Sequence, residues 1–304
     1  MEYRKNDIVT LEIVDCGTDG EGIGKADGFT VFVKDAVIGD TVTAKIMKAK
    51  KNYGYGRLME ILKPSPYRVE PICPSARQCG GCQLQAVSYE EQKAFKEKKL
   101  RGHLERIGGF KELPMEPLIG MDEPYHYRNK AQFPVGRNKE GRIVTGFYAG
   151  RTHAIIENRD CALGIPQNKE VLDRVIAHME KYNIAPYDEM TGKGLVRHIF
   201  VRYGFFTGEL MVCLIINGKS LPHSEKLVEA LREIDGMTSI SINCNTERTN
   251  VILGRKTIVL WGQEYITDQI GEISYEISPV SFYQVNPVQT EKLYGLALEY
   301  ADLH

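Results

Sequence analysis

Seven cysteines in 304 residues carry the first chemical signal. Three form Cys73-x5-Cys79-x2-Cys82, with Gly80 and Gly81 between the last two, and a fourth thiol, Cys161, stands alone far downstream. Three thiolates from one tight loop and one from a distant segment suit a cubane, whose irons each take one thiolate. The glycines let backbone amides approach inorganic sulfide closely. Four-cysteine zinc is the competing reading, but structural zinc sites are usually built from paired short hooks, and Cys161 has no companion thiol near it. Spacing therefore favours an iron–sulfur cluster while leaving zinc open. Cys16, Cys213 and Cys244 lie in apolar or strand-like contexts and read as buried small hydrophobes.

The rest of the chain must position these thiols, and its totals are those of a folded protein. Lys plus Arg is 39 and Asp plus Glu is 40, a net charge of −1, with 42% hydrophobic and 26% charged residues. That excludes a disordered chain and says nothing about partners. Apolar stretches are only strand-length and no apolar signal core follows Met1, so neither a membrane span nor secretion is expected and the location reads as cytoplasmic. Charge is uneven, however. Residues 42–111 hold 15 Lys or Arg against 6 Glu, the pattern of a polyanion-facing region or of a solvated helix face with an excess of lysine.

Alternation in residues 8–14, 29–33, 42–46 and 56–62 predicts a small β-barrel. The glycine-rich turn at residues 17–24 runs into a strand instead of a helix, so it is a hairpin turn and not a phosphate loop. Pro64, Pro66, Pro71 and Pro74 mark an extended linker into the cysteine loop. Ser88, with Glu90 and Glu91 behind it, predicts a helix start, and Gly108-Gly109 its stop. Strands are expected within 125–156, 195–216, 249–260 and 273–278, and helices at 171–182, 224–234 and from 289.

With these elements in place the sequence resembles the RNA uracil-5 methyltransferases that use S-adenosylmethionine (SAM), in particular the branch acting on 23S ribosomal RNA. The matching segments are a TRAM-like barrel, CPSARQCGGCQLQ at 73–85, YRNKAQFPV within 125–135, GFYAGRTHAI at 146–155 and Cys161. GLVRHIFVR at 194–202, TNVILG at 249–254 and SPVSFYQVNP at 278–287 complete the set, in family order.

The resemblance implies a mixed fold: a TRAM (OB-like) barrel at 1–62, a central α/β iron–sulfur domain at 63–278, and the start of a Rossmann-like methyltransferase domain at 279–304. It implies a helical excursion at about 89–121 that packs on the catalytic domain. Cys73, Cys79, Cys82 and Cys161 would ligate a [4Fe-4S] cluster and Gln284 would contact SAM. Cations beside aromatics (Arg128, Lys130, Phe133, Arg197, His198, Arg202) are the expected RNA contacts. The family's chemistry adds a cysteine thiolate to uracil C6, lets C5 take the methyl group, and removes the C5 proton with a base. Neither group matches a residue here: Cys244-Asn245 is followed by Thr246 where the nucleophile motif needs proline. The catalytic residues are therefore expected beyond His304, in a truncated domain, and the protein is expected to be a monomer. A tRNA uracil-5 methyltransferase and a non-catalytic RNA-binding iron–sulfur protein are the alternatives. A radical methylthiotransferase is disfavoured, because there the TRAM domain ends the chain and the cysteine spacing differs.

Overall fold

The computed structural model describes residues 3–150 and 152–302; Arg151, inside the GFYAGRTHAI segment, lies outside the described residues. The chain forms two compact units, Met1–Gly120 and Met121–His304. Among the described residues, no helix is long and apolar enough to cross a membrane.

The first unit opens with five strands: β1 (Ile8–Cys16), β2 (Gly22–Ala26), β3 (Phe29–Lys34), β4 (Thr41–Ala49) and β5 (Tyr53–Lys63). They close a barrel in the order β1-β2-β3-β5-β4, with β3 and β5 parallel and the other pairs antiparallel. Period-two alternation turns Val9, Leu11, Ile13, Val31, Val33, Val42, Ala44 and Ile46 inward, and these make its core. At Gly24 a Cβ would stand 2.3 Å from the Glu12 carbonyl, so only glycine fits beside the bulge in β1.

The barrel is tied to the following linker by a buried carboxylate. Asp40 is fully buried and accepts from the Val37 and Ser65 amides and from Arg68 Nε and Nη2, the last at 2.5 Å. A third bond from Arg68 reaches the Asp35 carbonyl. Burial alone would raise the Asp40 pKa, but Arg68 and the two amides together hold it below the ordinary carboxylate range.

Helix α1 (Tyr89–Arg106) follows the cysteine loop. Ser88 precedes it, yet its side chain makes no capping bond; Gln92 instead donates back to the Leu84 and Val87 carbonyls. The expected helical excursion to residue 121 is corrected. Gly109 takes φ +74 just beyond the helix end, and the chain runs without helix from there through Pro114 and Pro117.

The second unit is a seven-stranded sheet in the order β12-β11-β10-β9-β6-β7-β8. Its strands are β6 (Lys130–Arg137), β7 (Ile143–Tyr148), β8 (Ile155–Glu157), β9 (Val196–Tyr203), β10 (Leu210–Ile216), β11 (Met237–Cys244) and β12 (Lys256–Gly262). Helices α2 (Gln167–Lys181) and α3 (Ser224–Leu231) contribute Val171, Leu172, Val175 and Leu227 to the main core. A second core gathers Phe200, Met211, Cys213 and Ile215 with Ile266 and Ile277 of the hairpin β13 (Ile266–Ile270)–β14 (Ile273–Ile277). Central strands β9 and β10 are thus covered on both faces, which is why β10 reads as an unbroken apolar run. Helix α4 (Pro287–Ala301) is capped by Asn286, whose side chain accepts from the Gln289 amide.

Residues 249–255, expected as strand, are a loop. Asn243 and Asn245 side chains bond the carbonyls of Gly254, Val251 and Ile252 and replace a sheet ladder.

Replacing Arg68 with Ala leaves Asp40 buried without its cation and is expected to cost about 3 kcal/mol near pH 7. Because the folded-state pKa of Asp40 is depressed, its stabilisation is present above the ordinary carboxylate value and is lost as pH falls through the folded one. The gap between Arg68→Ala and wild type, followed by hydrogen exchange of barrel amides, should narrow below about pH 4. A gap independent of pH would show that the charge is not what holds the linker.

Candidate functional site

The loop at residues 278–286 carries Gln284 and is pinned to the sheet by buried polar groups. Arg202 on β9 is 2% exposed and donates from Nη1 to the Ser278 carbonyl (3.0 Å) and from Nη2 to the Ser281 carbonyl (2.9 Å). Its guanidinium lies over the Phe200 ring. Burial pushes the Arg202 pKa down to about 10, with Tyr283 acting in the opposite sense. Asn129, 2% exposed, donates its side-chain amide to the Gln284 carbonyl and its backbone N–H to the Val285 carbonyl. Tyr283 turns inward, its hydroxyl donating to buried Asp268 at 3.3 Å; burial and that carboxylate push its pKa up. With alternate residues held inside, Phe282 (85% exposed) and Gln284 stand outward on a fixed backbone.

Cations flank this loop. Lys130 pairs across the sheet with Arg202, and Arg128 Nε donates to the Lys130 carbonyl. Burial, then the charges of Arg202 and Arg128, hold the Lys130 ammonium below the usual lysine range. Such crowding of like charge favours an anion at this place. Arg128 also lies against the turn that carries Cys161: its amide donates to the Leu163 carbonyl, and Gly164 N–H closes the turn onto the Cys161 carbonyl.

The other expected RNA contacts are inside the fold. Phe133 is fully buried and packs at a tilt against Phe147, with ring centroids 5.0 Å apart, leaving no face for a base. Arg197 is 6% exposed, donates to the Asn245, Glu247 and Thr249 carbonyls and lies over Tyr187, so its guanidinium holds the 245–249 loop. His198 is 7% exposed, and burial, then Arg197, push its pKa down to about 4. Arg202 is likewise a clamp on the Gln284 loop and not a surface cation. Of the six, Arg128 and Lys130 keep partly exposed side chains. Charge in the sequence marked Arg197, His198 and Arg202; their position in β9, a strand covered on both faces, is what withdraws them from solvent.

In the first unit the cysteine loop is a chain of turns, with Ala76 N–H on the Cys73 carbonyl and Cys79 N–H on the Ser75 carbonyl. Cys73 and Cys79 are buried and Cys82 is half-buried. The Gly81 amide donates to Cys79 Sγ at 3.3 Å, the kind of N–H···S contact that stabilises a thiolate ligand. A cavity of about 510 Å³ opens beside the loop, lined by Cys73, Cys82, Arg68 and Phe95 among others. Among the described residues, no three His, Cys, Asp or Glu side chains are gathered tightly enough to hold a metal ion as they stand. The donor chemistry nevertheless fits a thiolate-ligated group: paired burial, an amide on sulfur, and room beside the loop.

Residues 4–59 match the TRAM domain family, which agrees with the closed barrel. An uncharacterized RNA methyltransferase of Clostridium tetani is 46% identical over 304 residues, covering 100% of this chain and 66% of its own length. One from Halalkalibacterium halodurans is 47% identical over 301 residues, covering 99% of this chain and 66% of the relative. Over essentially its whole length the chain is similar to these RNA methyltransferases. It spans 66% of the length of these curated relatives. The same fold is seen in the Pyrococcus abyssi tRNA (uracil-54, C5)-methyltransferase in complex with S-adenosyl-L-homocysteine, with a TM-score of 0.74 and 24% identity over 95% of this chain and 64% of that one. The TRAM match thus accounts for the N-terminal barrel and the structural likeness for the mixed fold.

Arg202→Met removes both donors from the 278–286 loop and strands two carbonyls. Protection of that segment against hydrogen exchange is expected to fall by at least tenfold, at a cost of about 2–4 kcal/mol. Unchanged protection there would mean that Asn129 and Tyr283 suffice to hold Gln284.

Proposed function

We propose that, within a protein of its relatives' length, this chain serves a 23S rRNA uracil-5 methyltransferase that uses SAM. The observation that carries the reading is the 278–286 loop, which holds Gln284 outward on a fixed backbone beside Lys130 and Arg128. In this reading the Gln284 amide orients SAM. Lys130 and Arg128 take RNA phosphate, and the barrel grips the surrounding RNA. Arg202, Asn129 and Tyr283 act as positioning residues that reach the site only through the loop. Methyl transfer to C5 would follow addition of a thiolate at C6, which turns an unreactive ring carbon into an enolate carbon. None of this chain's cysteines is assigned that thiolate: Cys213 is buried and its thiol is pushed up to about 12 by burial, and Cys244 lacks the motif proline.

Transfer of labelled methyl from SAM by the relatives' length of protein is the test, with 23S rRNA and tRNA transcripts as substrates. Label at uridine C5 of 23S rRNA alone is the expected result. Gln284→Ala should raise the KM for SAM by at least tenfold, about 1.4 kcal/mol, with little change in the KM for RNA. Label in tRNA alone would move the substrate to the other branch, and a protein that binds RNA without transferring methyl would support the non-catalytic reading.

The same proposal places a [4Fe-4S] cluster on Cys73, Cys79, Cys82 and Cys161. The first three rest on the loop chemistry above and Cys161 on sequence spacing. Bound there, the cluster would supply a rigid covalent node; methyl transfer calls for no electrons from it. Anaerobically purified protein is expected to hold about four irons and four sulfides, with broad absorbance near 400 nm, and Cys79→Ser to lose most of both. Zinc without sulfide would overturn this assignment and leave the RNA reading standing.

A further inference from the structure

The outer wall of the barrel bears an aromatic cluster that its core does not use. Phe32 on β3 and Tyr53 and Tyr55 on β5 occupy outward positions, alternating with inward Val31, Val33, Gly54 and Gly56. Phe32 and Tyr55 have ring centroids 5.6 Å apart. Tyr53 meets both other rings edge-on at 5.8 Å, with interplanar angles of 81° and 82°. Both tyrosines are 38% exposed. Edge-to-face contact fixes each ring against its neighbour, so their exposed faces are ordered before anything binds.

Strand register then surrounds these rings with cations. Phe32 stands opposite Tyr55, and Tyr55 opposite Lys48. One row along, Lys34 stands opposite Arg57 and Arg57 opposite Lys45; on the other side Lys25 faces Thr30, which faces Tyr53. Lys25, Lys34, Lys48 and Arg57 are exposed. The cationic border continues onto the cysteine loop, because Lys34 Nζ donates to the Arg77 carbonyl at 3.1 Å and Arg77 itself is largely exposed, 3.6 Å from Asp35. Glu21 borders the patch at the Phe32 end.

We propose that this face is a stacking platform for unpaired bases of an RNA strand, with the surrounding cations on its phosphates. The inference deepens the RNA reading above and rests on it. Neighbouring strands are about 4.8 Å apart, so a base lying on one ring keeps its own phosphate within reach of a cation in the next row. Duplex RNA presents no unstacked base to such rings, whereas loops, bulges and single strands do. A protein partner would be met by a ring of lysines, the residues most depleted from the centres of protein interfaces.

The experiment is fluorescence anisotropy of the intact chain with an end-labelled single strand of about 12 nucleotides and the same sequence as duplex, across a salt series. Tyr53→Ala combined with Tyr55→Ala is expected to weaken single-strand binding by about tenfold or more at every salt concentration. The slope of log affinity against log salt and the affinity for duplex should be unchanged. Tyr55→Phe, which keeps the ring, should bind as wild type does. Arg57→Ala should weaken both RNAs and flatten the slope by about one charge. A double tyrosine variant that binds the single strand as tightly as wild type overturns the platform, even if Arg57→Ala weakens binding, because cations alone would then account for it. A wild-type chain that binds neither RNA at about 50 mM salt defeats the RNA reading itself, a separate outcome.

Discussion

The guanidinium of Arg202 sits almost wholly out of water in a central strand, and the candidate site depends on how that charge is satisfied. Nearby Tyr283 favours its charge, while two carbonyls of the 278–286 loop and the face of Phe200 receive the guanidinium. A buried cation that lost these partners would face a desolvation penalty of several kcal/mol, so the loop is held at the one position that meets them. Gln284 inherits its placement from this requirement. Neutral Asn129 adds two further bonds to adjacent residues, so the backbone on both sides of Tyr283 is fixed while the outward side chains stay available.

The first unit solves an analogous problem with the opposite sign. Asp40 collects two amides and two guanidinium donors, and the residues supplying them come from the barrel, the linker and the segment leading to the cysteine loop. A barrel with a thin core of small aliphatics gains little from burial alone, so a satisfied buried charge makes the junction specific even where it adds little stability. Arg68 also borders the cavity beside Cys73 and Cys82, so the group that orders the linker shapes the space next to the thiols.

Much of the architecture was legible because hydrophobic period reports burial directly. Strands β1, β3, β4 and β5 alternate, one face in and one out, and α2 and α3 show apolar stripes; each was foreseen within a few residues, whereas β2 was read as part of the glycine-rich turn because Gly22 and Gly24 carry no side chain to show the alternation. β11 was not foreseen, because Ser239, Ser241 and Asn243 alternate with its core residues Ile240 and Ile242 and are buried as well, although their residue types suggest surface. β13, with Asp268 and Gln269 in five residues, escaped for the same reason. The 249–254 segment misled in the other direction: Val251, Ile252 and Leu253 look like strand, but the side chains of Asn243 and Asn245, at the end of β11, take its backbone bonds. The cysteine loop and Gln284 were singled out by residue type and family resemblance. Arg197, His198 and Arg202 were placed on RNA because a sequence displays charge and hides depth. The available clue was their neighbourhood, a strand whose remaining residues are Val, Ile, Phe and Tyr.

The strand order of the second unit has a temporal consequence. One edge of β6 pairs with β7 directly behind it, but the other pairs with β9, so residues 138–195 must be spanned before that edge is covered. Such long-range closure is entropically slow, and β6, β7 and β8 remain a small, marginal meander until β9 arrives. Only then do Asn129 and Arg202 lie side by side, and only on that pair can the 278–286 loop dock. The 278–286 loop is therefore the last piece to assemble and the first to open, and a ligand that binds it closed would register as increased resistance to proteolysis at the loop well before it altered global unfolding.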